Sequence, residues 1–148
     1  MKWLAFMAAW FFTAASLASG QEGEISFRDK ALALNNVTGD EAIVGKLREL
    51  RRDKDALKKI LSEAKSVVKE KGKDQPFNYN GAYILARSAQ GIKDYESGEL
   101  FYKLCIEHAF KLKSTQKLAQ VFDGLIDLFD RAKKYDDALF TCQKFLEL

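Results

Sequence analysis

The sequence predicts an all-α fold built from tandem antiparallel helical hairpins. Three observations carry that expectation. From residue 40 onward apolar residues recur at spacings of three and four, the period of a helix with one buried face. Only one Pro and nine scattered Gly interrupt 148 residues. Turn segments then return at a fixed interval, with Asp53, Tyr95 and Tyr135 lying 42 and 40 residues apart, a period typical of stacked repeats. With 47% hydrophobic and 30% charged residues, the chain has material for one modest core.

The first element is read as a leader. Lys2 supplies one positive charge, Trp3 to Ala18 is an apolar run broken only by Thr13 and Ser16, and Ala18-Ser19-Gly20 offers small residues before polar Gln21 and Glu22. This is the layout of a secretory signal peptide over residues 1–20. The run is shorter than the roughly 20 apolar residues a spanning helix needs, so the product is expected to be periplasmic or secreted, with no membrane span after cleavage. Residues 21–39 read as a linker in which a short amphipathic segment around Ser26 to Leu34 is broken by Asn35-Asn36. Asn36-Val37-Thr38 matches a glycosylation sequon, a pattern that often arises by chance.

The hairpins follow, over about residues 40–74, 77–112 and 114–148. Thr38-Gly39-Asp40-Glu41 has the spacing of a capping box and predicts a helix start near Asp40. Ile43, Val44, Leu47 and Leu50 give its inward stripe, and Arg51-Arg52-Asp53 marks the turn. Ala56, Leu57, Ile60, Leu61, Ala64, Val67 and Val68 line the next helix, which Gly72 to Pro76 closes. In the second pair Ala82, Leu85, Ala86 and Ala89 face Leu100, Phe101, Leu104, Cys105 and Ala109. Ser114 is the expected cap of the following helix. Leu118, Phe122, Leu125, Ile126 and Phe129 then face Tyr135, Ala138, Leu139, Cys142, Phe145 and Leu146 across a turn at Lys133-Lys134.

A small residue stands three positions after each turn residue: Ala56, Gly98 and Ala138 follow Asp53, Tyr95 and Tyr135. Closely crossing helices need such a position. At Lys93-Asp94-Tyr95-Glu96-Ser97-Gly98 with Tyr102 and Cys105, and again at Lys134-Tyr135-Asp136-Asp137-Ala138 with Cys142 and Phe145, the chain resembles the second helix of tetratricopeptide (TPR) repeats. Leu85, Ala86 and Ala89, and then Phe122, Leu125 and Phe129, resemble the family's first helix. The likeness covers residues 77–148 well and 40–74 loosely. It departs from the family in its longer period, in Ile126 at a position that favours a small residue, and in lacking a terminal Pro in each repeat. The resemblance implies a short right-handed superhelix, an α-solenoid, that binds a protein or peptide in a concave groove lined by the first helices.

Chemistry is sparsely represented. His108 is the only histidine and falls near a helix C-terminus, where the helix dipole favours it without further function. Cys105 and Cys142 fall on inward stripes, which leaves core packing as the leading reading and a disulfide open. Ser62-Glu63-Ala64-Lys65 and Ser114-Thr115-Gln116-Lys117 match Ser-x-x-Lys without the companion motifs of penicillin-recognising enzymes. No phosphate-binding glycine loop, nucleophile elbow or zinc-protease helix occurs. The reading is therefore a binding protein, with no enzyme activity, cofactor or metal. The 24 basic and 21 acidic side chains, one of the former being Lys2 in the leader, give no excess suited to nucleic acid.

The resemblance places Asn80, Tyr83, Arg87 and Gln90, then Gln120, Asp123, Asp127 and Asp130, along the groove. Three Asp beside a Tyr suggest a basic or amphipathic partner segment. Phe145-Leu146-Glu147-Leu148 ends inside a helical pattern with no polar capping element, although repeat arrays need one. That leaves two alternatives to a peptide-binding module: self-association in envelope assembly through the uncapped end, or a non-catalytic platform of a longer enzyme.

Overall fold

A computed structural model describes residues 23–148, so the expected leader over residues 1–20 lies outside the described residues. Within them the chain is helical throughout, with no strand. Seven α-helices follow in order: α1 (Phe27–Ala33), then a 3-10 turn (Leu34–Asn36), α2 (Asp40–Arg52), α3 (Lys54–Lys71), α4 (Tyr79–Gly91), α5 (Tyr95–Lys111), α6 (Thr115–Arg131) and α7 (Tyr135–Leu146). None of these is long and apolar enough to cross a membrane.

Local chemistry fixes most of the boundaries. Five helices begin at a side-chain cap, from Ser26, Asp53, Asn78, Asp94 and Ser114, each worth about 1 kcal/mol. Ser114 accepts from the Lys117 amide at 3.3 Å, as its position predicts. The capping box at Thr38 does not form. Helix α2 does start at Asp40, but Gly39 holds the cap position at φ 87° and no side chain closes it.

Three helix ends share one geometry. Lys93, Lys113 and Lys133 all adopt positive φ, at 64°, 50° and 59°. At each of them the lysine amide bonds back three residues, and the next amide bonds back five: Asp94 to Ala89, Ser114 to Ala109 and Lys134 to Phe129. These are Schellman motifs that close one helix and launch the next in three residues. Their 20-residue spacing is half the hairpin period, so α4, α5, α6 and α7 form two successive hairpins of matched register.

Helix α4 is the centre of the molecule. Ala82, Ile84, Leu85, Ala86 and Ala89 are fully buried, because α5, α6, α2 and the 3-10 turn all pack around it. Close approaches are made by glycines. A Cβ on Gly81 would meet the Asn35 side chain, one on Gly98 would lie 2.4 Å from Leu128 Cδ1, and one on Gly124 would lie 2.6 Å from the Tyr102 hydroxyl. Gly98 thus serves the contact between α5 and the next hairpin's α6 as much as the crossing within its own pair.

Three sequence expectations need correction. Residues 27–36 are not a linker: Ala31 and Leu34 are buried, α1 packs on α3, and the 3-10 turn packs on α4. Asn35 locks this segment in place by accepting from the Asn78 amide at 2.9 Å and donating to the Pro76 carbonyl at 2.7 Å. Second, α2 and α3 meet only slightly, since α2 lies mainly on α4 and α3 mainly on α1. Ile43, Leu47 and Leu50 are half-buried while Val44 stays exposed. Third, the inward stripe expected of α7 is mostly uncovered. Only Thr141 is buried in that helix, Ala138, Cys142 and Phe145 are half-buried, and Tyr135, Leu139 and Leu146 are exposed.

Candidate binding groove

Helices α2, α4 and α6 are the first members of their pairs, and α4 packs between the other two. Two clefts open on their shared face. One, of about 330 Å³, is bounded by Ile43, Val44 and Leu47 of α2, by Tyr79, Asn80, Tyr83 and Arg87 of α4, and by Lys117 and Gln120 of α6. The other, of about 290 Å³, is lined by Arg51, Arg87, Gln90, Gly91, Asp127 and Arg131. Arg87 borders both clefts.

The larger cleft has an aromatic floor. Tyr79 and Tyr83, one helical turn apart, stack with ring centroids 5.9 Å apart and planes 8° from parallel. Lys117 Nζ sits 4.2 Å above the Tyr79 ring, a cation–π contact. The Tyr79 hydroxyl donates to Gln120 Oε1 at 3.0 Å. Asn80 Nδ2 donates to the Val37 carbonyl at 3.0 Å, which ties α4 to the segment before α2. Burial pushes the pKa of both phenols upward, so they remain neutral hydrogen-bonding groups.

The smaller cleft is polar. Gln90 is buried at 7% exposure; its Oε1 accepts from the Tyr102 hydroxyl at 2.7 Å, and its Nε2 donates to Asp127. Asp127 also accepts from Arg131 Nε at 2.9 Å. The Arg51 guanidinium lies against Gly91, where a Cβ would come within 2.8 Å of its Nε, and one of its nitrogens is 3.4 Å from the Arg87 carbonyl. Burial works against the charge on Arg87, but Tyr102, Tyr83 and Asp127 outweigh it and raise its pKa.

Of the residues read from the sequence, Asn80, Tyr83, Arg87 and Gln120 come together in the first cleft, and Arg87, Gln90 and Asp127 in the second. Gln90 is largely consumed by its internal bonds. Asp123 and Asp130 are exposed but border neither cleft. Of the three Asp, Asp127 alone lines a cleft. Asp127 is paired with Arg131, and counted over both linings, where Asp40 and Lys117 balance in charge without pairing, two positive charges remain in surplus.

Sequence reasoning missed Tyr79, Lys117, Arg51 and Arg131. The Tyr79–Tyr83 pair at i, i+4 was a usable signal. Nothing local marks Arg51, which reaches the groove only because α2 packs on α4.

A third hollow, of about 350 Å³, lies between α5, α6 and α7. Its apolar walls include Ile106, Phe122, Leu125, Phe129 and Phe140. Among the described residues no group of His, Cys, Asp and Glu is placed to hold a metal ion. Both cysteines are free thiols, and burial pushes the Cys105 pKa upward. Compared with known proteins, the chain matches no family model, no curated protein and no solved structure.

Proposed function

We propose that the chain is an exported protein-interaction module, a TPR-like array of hairpins whose first helices form a groove for a segment of another protein. The observation that carries this reading is the cleft between α2, α4 and α6. It presents a stacked tyrosine pair for an apolar or aromatic side chain, ringed by Asn80, Lys117 and Gln120 as hydrogen-bonding groups. An aromatic floor with a polar rim is the usual anatomy of a recognition surface. The matched turns at Lys93, Lys113 and Lys133 support a repeating array, and the leader-like residues 1–20 support a periplasmic or secreted location. The surplus of Arg along the groove favours a partner segment of negative rather than positive charge.

The test is capture from an envelope or secreted fraction with the mature chain as bait, repeated with Tyr83→Ala. Tyr83 is half-buried at the edge of the core, stacked on Tyr79, and the variant should stay helical by circular dichroism. Retention of the wild-type partner should fall at least about tenfold, as for loss of an aromatic anchor. Equal retention by both proteins would move the binding face away from this cleft.

A second reading is favoured by one observation. Tyr135, Leu139 and Leu146 on α7 are 58%, 63% and 85% exposed, and an apolar face of that kind suits self-association.

A further inference from the structure

We propose that the cleft lined by Arg51, Arg87 and Arg131 is a binding site for a phosphate-type dianion carried on a larger molecule. It deepens the groove reading, since it takes the open face of α2, α4 and α6 to be ligand-accessible, but it has its own test. Three helices each deliver one guanidinium to this cleft, and among the described residues Asp127 is the only carboxylate lining it. The local balance is therefore two positive charges, a surplus that a dianion neutralises and a single carboxylate does not.

The donors are also available. Asp127 engages Arg131 through Nε, which leaves the terminal nitrogens of that guanidinium for a ligand. Arg51 makes one long contact, 3.4 Å to the Arg87 carbonyl, and Gly91 leaves room for its planar head beside α4. Arg87 is half-buried and has no ion pair among the described residues. A partly desolvated arginine in that state gains most from an incoming anion. Guanidinium groups match phosphoryl oxygens in bidentate fashion. The cleft, at about 290 Å³, is several times larger than a bare phosphate, and Arg87 also borders the neighbouring cleft that holds Tyr83. The space beyond the charge fits the body of an ester or a phosphorylated chain.

The experiment is a titration of the mature protein with inorganic phosphate, followed by NMR of the arginine Nε–H signals at constant ionic strength. Acetate serves as the monoanion control. Phosphate should shift the signals of Arg51, Arg87 and Arg131 saturably, and acetate should bind at least about tenfold more weakly. Arg51→Gln, an exposed position that should fold normally, should weaken phosphate at least tenfold. Lys58→Gln, which removes an exposed charge on α3, should leave it unchanged. A phosphoserine peptide and a sugar phosphate then separate the sources, because whichever binds more tightly than inorganic phosphate identifies the carrier, and either result supports the site. No saturable shift with phosphate, equal binding of acetate, or equal weakening by Lys58→Gln would each overturn it. Loss of partner capture in Tyr83→Ala with phosphate binding intact would separate the two halves of the groove, and failure of phosphate alone would leave the tyrosine cleft standing.

Discussion

At the scale of single residues, the turns store a cost that can be measured. Lys113 adopts φ 50° at the position where helices usually place Gly, because a Cβ there crowds the following carbonyl. Lys113→Gly should raise the unfolding free energy by about 0.5–1 kcal/mol, the relief of left-handed strain exceeding the added freedom of the unfolded chain. Lys113→Val should lower it, since a β-branched residue tolerates positive φ worst. Urea denaturation checks both, and a destabilised Gly variant would contradict the assigned turn. None of this geometry was legible in the sequence, since a lysine between helices reads as an ordinary polar turn residue. The internal bonds of Gln90 were hidden for a related reason. Its polar side chain and spacing from Arg87 suggested solvent, but the hydroxyl of Tyr102, itself fully buried, and the carboxylate of Asp127 satisfy it inside. A buried polar group looks exposed in a sequence until its partners are placed.

At the scale of elements, periodicity located α3 to α6 closely because each has a continuous stripe that something covers. What it missed, at the two ends of the described residues, was what packs on α1 and how little covers α7. The segment 27–36 is too short for a persuasive period and carries Asn35 and Asn36, yet the Asn35 side chain bonds to the backbone of residues 76 and 78, and its carbonyl accepts from the Asn78 side chain. Long-range hydrogen bonds of this kind have no local signature. The consequence is testable, because a linker and a packed element answer differently to truncation. Leu34 is 1% exposed, so Leu34→Ala should cost about 2–4 kcal/mol from lost burial and the cavity left behind. A linker residue would cost less than about 0.5 kcal/mol. Thermal or urea unfolding of the mature chain distinguishes the two, and a neutral result would detach α1 and the 3-10 turn from the core.

At the scale of the whole molecule, the question is what covers the last helix, and the internal register supplies the comparison. Shifted back by 40 residues, Tyr135, Leu139, Cys142 and Leu146 correspond to Tyr95, Glu99, Tyr102 and Ile106 on α5. On α5 that flank is occupied. Tyr102 is fully buried, the backbone of α6 comes so close that only Gly124 fits beside its ring, and Tyr95 and Ile106 are half-covered. The matching flank of α7 has no helix on it among the described residues. Its spacing of four, three and four is that of a seam between two paired helices. If a second copy offers the same flank about a two-fold axis, α7 packs antiparallel to its own counterpart, with Tyr135 opposite Leu146 and Leu139 opposite Cys142. Such an interface closes on itself and stops at the dimer. One helix flank is small beside the roughly 800 Å² per partner of a stable interface, so association should be weak and visible only as concentration rises. Sedimentation equilibrium of the mature chain should show a monomer–dimer equilibrium, and Leu139→Glu with Leu146→Glu should abolish it. Both side chains are exposed, so helical content and melting temperature should hold. A wild type that stays monomeric at millimolar concentration, or a double variant that dimerises as before, would leave self-association without a surface. The groove on α2, α4 and α6 would then stand alone as the recognition face.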